Sequence, residues 1–157
     1  AIPEFISALE DTDPAMVRNA AIALAFFHRE EAIPDLLNPL EDPDSFRRWE
    51  VVFNLRKVGS DDMIAAPLSL LDESVEPNTR VRSEVALTLG RIGGQELVPI
   101  LLGTLKTDPE PRVRVRAVLA LRRLGGAGAL EGLRAALATE EDATVRDAVQ
   151  NAIDDST

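Results

Sequence analysis

An all-α fold, an α-solenoid wound as a right-handed superhelix of about five helix pairs, is predicted by three features of this 157-residue sequence. The stretch RVRSEVALTLGRIGG at 80–94 returns as RVRVRAVLALRRLGG at 112–126, 32 residues later. Arg18, Arg48, Arg82, Arg114 and Arg146, each preceded by Val or Arg, are separated by 30, 34, 32 and 32 residues. Gly59, Gly93 and Gly125 then follow in register, each 11 residues after its arginine. A repeat of about 30 residues is the mark of stacked supersecondary units, none of which can bury its apolar face alone. The chain therefore reads as one repeat domain, 1–157, with approximate units 1–30, 31–60, 61–93, 94–125 and 126–157.

Each unit reads as two helices. The first carries apolar residues at helical spacing, as in Phe5, Ile6 and Leu9 or Leu36, Leu37 and Leu40. Pro3, Pro34 and Pro99 stand near the starts of these runs, and Leu9, Leu40, Leu71, Leu105 and Leu137 close them. The turns EDTDP, EDPDS and KTDPEP supply Asp and Pro to stop the first helix and start the second. The second helix is expected to run from about the marked arginine to the glycine, whose freedom to adopt a left-handed conformation can end it.

The second helices align on one apolar face. Counted from the arginine, position +3 holds Ala21, Val85, Ala117 and Val149, with Val52 at +4 in the second unit. Position +7 holds Ala25, Leu55, Leu89, Leu121 and Ile153; position +10 holds His28, Val58, Ile92 and Leu124. This is a buried stripe at helical spacing. A cation near a helix N-terminus faces the positive end of the dipole. Asp11, Asp13, Asp42, Asp44, Asp108 and Asp142, just upstream, can neutralise it.

The pattern D-x-x-(V)-R-x-x-A-x-x-x-L-x-x-I-G resembles the HEAT repeat, in its short phycobilisome-lyase-like variety, over nearly the whole chain. The resemblance is strongest at 80–94 and 112–126. It departs at 43–71, where Arg47 replaces the usual Val and Trp49 follows the arginine, and the turn 72–79 is about two residues longer than its counterparts. It implies that Arg18, Arg48, Arg82, Arg114 and Arg146 form a structural ladder with Asp between successive repeats. It also implies that the second helices line the concave wall.

Several classes of chemistry are not expected. There is no Cys, which excludes disulfides, thiol nucleophiles and thiolate metal sites. His28 is the single histidine, so no multi-histidine metal site is possible, and it reads as a helix-end residue partly covering the core. The run GGAGAL at 125–130 lacks the Lys-Ser/Thr ending of a phosphate-binding loop and reads as a helix stop. No catalytic residues, metal or cofactor are expected. The net charge of −10 argues against nucleic acid, no apolar run suits a membrane span, and the cytoplasm is the expected compartment.

What stands out is position +5, usually polar in HEAT-like repeats, which here holds Ala23, Phe53, Leu87, Leu119 and Asn151. Trp49 and Val115 occupy the neighbouring +1 slots. Trp49, Phe53, Leu87 and Leu119 would form an apolar stripe across the concave wall, edged at +8 and +9 by Arg56, Lys57, Arg91, Arg122 and Arg123. Two readings stay open. The stripe is a protein- or peptide-binding site, or tight superhelical curvature buries it between neighbouring helices. The resemblance also implies an alternative, a bilin lyase or lyase accessory acting on phycobiliproteins. Self-association through uncapped array ends is a further expectation.

Overall fold

The structure, a computed structural model, describes residues 2–8, 11–27, 33–58 and 64–156. Leu9, His28 and Gly59 lie outside the described residues, as do the side chains of Ala25, Lys57 and Val58. Ten α-helices are present among the described residues: α1 (Ile2–Ala8), α2 (Pro14–Phe26), α3 (Ile33–Leu37), α4 (Ser45–Val58), α5 (Ala65–Leu68), α6 (Thr79–Ile92), α7 (Val98–Thr107), α8 (Pro111–Leu124), α9 (Gly126–Thr139) and α10 (Ala143–Asp154). Short 3-10 turns extend α3 (Asn38–Glu41) and α5 (Ser69–Leu71) and lead into α7 (Gln95–Leu97). The tightening after α3 comes at Pro39, which has no N–H to continue the α-helical bonds.

The helices pair as an α-solenoid, α1 with α2 through α9 with α10, in two layers. Successive second helices, α2 to α4 to α6 to α8 to α10, pack on one another more extensively than successive first helices do. That makes the second-helix layer the shorter, inner wall. At +3 and +7 the side chains of Val85, Leu89, Ala117, Leu121 and Val149 are fully buried. One core runs from Leu40 to Ile153, and a smaller one joins Ala21, Leu24, Leu36 and Leu55 at the amino-terminal end. Gly90 lets α6 approach α8 closely, since a Cβ there would overlap the Cβ and Cα of Ala120.

Two local expectations are corrected. The helices α4, α6, α8 and α10 begin three residues before the marked arginine, because the turn's polar residues cap them earlier. Asn78 Oδ1 accepts the amides of Arg80 and Val81 at 3.0 and 3.2 Å, and Asp142 Oδ1 accepts that of Val145 at 3.0 Å. Gly93 closes α6 in an extended conformation (φ −94°, ψ 178°), not a left-handed one; a Cβ there would overlap the tip of the Leu97 side chain and press on the Leu89 carbonyl. Gly125, at φ 65°, does take a positive φ. The longer turn after α5 is absorbed by an extra bend in which the Asp72 carbonyl accepts the amides of Val75 and Glu76 at 3.0 and 2.9 Å.

Candidate partner-binding face

The inner wall is held in register by the marked arginines. Arg82 Nη1 donates to the carbonyls of Glu76 and Pro77 in its own unit's turn, at 2.9 and 3.0 Å. Its Nε and Nη2 reach into the next unit and grip both carboxylate oxygens of Asp108, at 2.9 and 3.2 Å. Arg48 repeats this with the carbonyls of Asp42 and Pro43 and the carboxylate of Glu76, and Arg114 with those of Asp108 and Pro109 and the carboxylate of Glu140. Each acid has a second bond: Glu76, Asp108 and Glu140 accept the amides of Asn78, Glu110 and Asp142 at 2.9 to 3.0 Å. Every rung therefore ties two turns and starts a helix.

The electrostatics follow from this geometry. Burial pushes the Glu76 carboxyl up, but the bonds from Arg48 and the Asn78 amide, with the charges of Arg48 and Arg82, outweigh it and hold it below its ordinary value. Glu140 is likewise raised by burial and lowered further by Arg114 and the Asp142 amide. The carboxylates of Glu76 and Asp108 hold Arg48 and Arg82 above their usual range. Of the upstream acids, Asp108 forms the expected rung between successive repeats with Arg82, whereas Asp13, Asp44 and Asp142 cap helix amides and Asp42 lies 3.6 Å from Arg47. Glu76 and Glu140 were not foreseen, although an acid stands six residues before Arg48, Arg82, Arg114 and Arg146 alike. Among the described residues the rungs at the ends differ. Arg18 Nε lies 3.4 Å from Glu50 on α4, and Arg146 donates to the carbonyls of Leu137 and Glu140.

On the wall so fixed, α4 presents Phe46, Trp49 and Phe53 one turn apart. The Trp49 ring stacks on both phenylalanines, with centroids 5.7 Å from Phe46 and 5.1 Å from Phe53. Two arginines cover the rings: Arg80 lies 4.3 Å from the Trp49 centroid and Arg56 lies 4.2 Å from that of Phe53. Glu84 on α6 joins the ends, accepting from Trp49 Nε1 at 3.3 Å and Arg56 Nη1 at 3.0 Å. An aromatic pair adds about 0.5–1.5 kcal/mol and an exposed cation–π contact about 0.5–1 kcal/mol, enough to hold these side chains in one arrangement. Phe46 is 54% exposed, while Trp49, Phe53, Leu87 and Leu119 are half-buried.

The structure thus brings Trp49, Phe53 and Arg56 into one cluster and sets Leu87 and Leu119 on the same wall. The basic edge divides. At +8, Arg56 and Arg122 turn toward the next unit and pair with Glu84 and Asp155, the latter at 2.9 Å. At +9, a further 100° around the helix, Arg91 and Arg123 are exposed. Phe46 and Arg80, both at −2, and Arg112 and Arg116 escaped the sequence reading. The signal for them was angular, since −2, +2, +5 and +9 share one helix face.

Comparison with known proteins agrees with this architecture. No curated protein matches the sequence. The crystal structure of an engineered protein, a Northeast Structural Genomics Consortium target, is similar in fold, with a TM-score of 0.58 and 22% identity over 99% of this chain and 78% of that one. Family comparison matches HEAT repeats at residues 2–76 and again at 64–154, which leaves little of the paired helices unaccounted for. With repeats matched over most of its length, the chain belongs to the HEAT repeat family.

Proposed function

We propose that this protein is a non-catalytic scaffold that binds a protein or peptide segment along its inner wall. The observation that carries the reading is the stack of Phe46, Trp49 and Phe53, partly open to solvent yet braced by Arg80, Arg56 and Glu84. Braced, half-covered aromatics flanked by arginine are the residues that dominate binding energy at interfaces. Each apolar side chain left in water forgoes roughly 1.5–3 kcal/mol, which a partner covering the stripe recovers. The 32-residue spacing supports the phycobilisome-lyase-like variety of repeat. Action on bilins rests on that resemblance alone; a bilin titration leaving the visible spectrum unchanged removes it.

The test is a paired pull-down from the native host with wild type and a Trp49→Ala/Phe53→Ala/Leu119→Ala variant, both shown to be folded by circular dichroism. A partner held by wild type and lost by the variant is the expected result. With the purified partner, Trp49→Ala alone should weaken binding by more than about 1 kcal/mol. Trp49 is the single Trp and there is no Tyr, so its fluorescence reports occupancy of the wall directly. A partner retained by both forms would refute the reading.

A further inference from the structure

The inner wall is chemically lopsided. Over α2 and α4 large apolar side chains are exposed: Met16 is 48% exposed, Phe27 50% and Phe46 54%, with the half-buried Trp49 and Phe53 between them. Over α6 and α8 the same register positions add arginines beside Glu84, Leu87 and Leu119. Arg91, Arg112, Arg116 and Arg123 stand there, and none has a carboxylate within ion-pair distance among the described residues. By contrast, Arg18, Arg47, Arg48, Arg56, Arg82, Arg114 and Arg122 are all paired with acids. In a chain with 27 acids and 17 basic residues, partners for four more arginines are plentiful. Their segregation from those acids leaves a local positive field on a protein of net charge −10. On α10 the corresponding positions return to Thr144, Asn151 and Asp155, so the basic stretch is bounded.

We infer that the inner wall takes an acidic peptide segment in one polarity, with apolar side chains over α2 and α4 and carboxylates over α6 and α8. This inference rests on the inner wall being the binding site and adds the chemistry and direction of what binds. Guanidinium groups accept planar carboxylates by paired hydrogen bonds, and these four have that valence unused. A polyphosphate chain is the poorer fit, because the overall negative charge repels it at long range and the exposed apolar side chains over α2 and α4 offer it nothing to bind. Successive helices packed about 8–10 Å apart place α8 roughly 16–20 Å from α4. An extended chain advances at most about 3.3–3.6 Å per residue, so the acidic cluster should be centred about five to six residues from the apolar anchor.

A phage-displayed library of random 12-residue peptides, panned on the intact protein, tests this. Wild type should enrich peptides with an aromatic or aliphatic pair followed or preceded at that spacing by three or more acids. An Arg112→Glu/Arg116→Glu/Arg123→Glu variant should lose those peptides at least tenfold and enrich basic ones. The Arg112→Gln/Arg116→Gln variant, which removes charge without reversing it, should weaken the same peptides and flatten their salt dependence. Trp49→Ala should weaken them while sparing the preference for acids. Enriched peptides that lack acids but depend on Trp49 would overturn the polarity and leave the inner-wall reading intact. Peptides insensitive to both sets of variants, or no enrichment at all, would overturn both. Competition by a 12-nucleotide oligothymidine at lower concentration than the peptides would overturn the choice of occupant.

Discussion

Arg18 and Arg82 occupy the same register position in two units, yet the molecule uses them differently. The side chains of Arg82 and Asp108 are 1% and 3% exposed, and the guanidinium makes four hydrogen bonds. Arg18 is 20% exposed, lies 3.4 Å from a Glu50 that is 28% exposed, and its buried Nε has no hydrogen-bond partner among the described residues. What separates them is the acid six residues before the next arginine. Asp108 comes back to Arg82, whereas Asp42, its counterpart for Arg18, is drawn to Arg47 instead. A repeat motif thus fixes where an arginine sits, and the neighbouring unit decides whether it becomes structural.

The largest effect should come from cutting the central rung. Arg82→Ala leaves the buried Asp108 carboxylate without its cation, though still accepting the Glu110 amide, and removes the donor to the carbonyls of Glu76 and Pro77. Loss of one member of a buried pair costs about 3–5 kcal/mol, to be read from urea unfolding. Replacing both partners, as Arg82→Met with Asp108→Leu, should cost far less, because no orphaned charge remains. Equal losses for the single and double variants would show that Arg82 acts through its packing and not through the rung.

Acid should erode the same region next. The Glu76 and Glu140 carboxyls stand below their ordinary value of 4.5 in the folded chain. Protons therefore bind the unfolded chain more readily, and the stability these groups confer is fully present above that value. It is lost as pH falls through their folded values. Urea midpoints should be level above the ordinary carboxylate range and fall below it, and Glu76→Gln should shrink the slope. A midpoint that rose on acidification would contradict the ladder as drawn.

The contrast extends to two glycines. Gly90 faces Ala120 across the α6–α8 contact, where an added methyl group meets the backbone itself; Gly103 on α7 has open space around its would-be Cβ. Gly90→Ala should destabilise by about 1–3 kcal/mol through overpacking. Gly103→Ala, in an exposed helix interior, should stabilise by roughly 0.5–1 kcal/mol. Thermal unfolding of the two variants should move in opposite directions.

Much of this was legible in the sequence. The recurrence of 80–94 at 112–126 carries the helix pairs, and the 3–4 spacing of Val85, Leu89 and Ile92 carries the buried face. The ladder acids were not legible from one unit, because Arg48 and Arg82 find Glu76 and Asp108 28 and 26 residues away, across a turn of variable length. Gly93 was misread because its sequence position suits a left-handed stop, while its actual constraint is the Leu97 side chain packed against it. On the inner wall, grouping +8 with +9 joined side chains that point apart. Trp49 and Phe53 were found by their rarity at such positions, but Phe46 and Arg80 required the angular register that −2 shares with +5.

The smallest effect should be at the amino-terminal rung. Arg18→Ala removes the partly solvated contact with Glu50, and such pairs contribute about 0–1 kcal/mol. The buried Nε that lacks a partner among the described residues subtracts from whatever the charge contributes. Its removal should therefore shift the urea midpoint little, and Glu50→Gln should shift it no more. A double-mutant cycle on Arg18 and Glu50 gives the coupling directly. Coupling as large as the same cycle gives for Arg82 and Asp108 would mean that the first rung closes in solution as the inner ones do, and that the division between the two ends of the ladder is false.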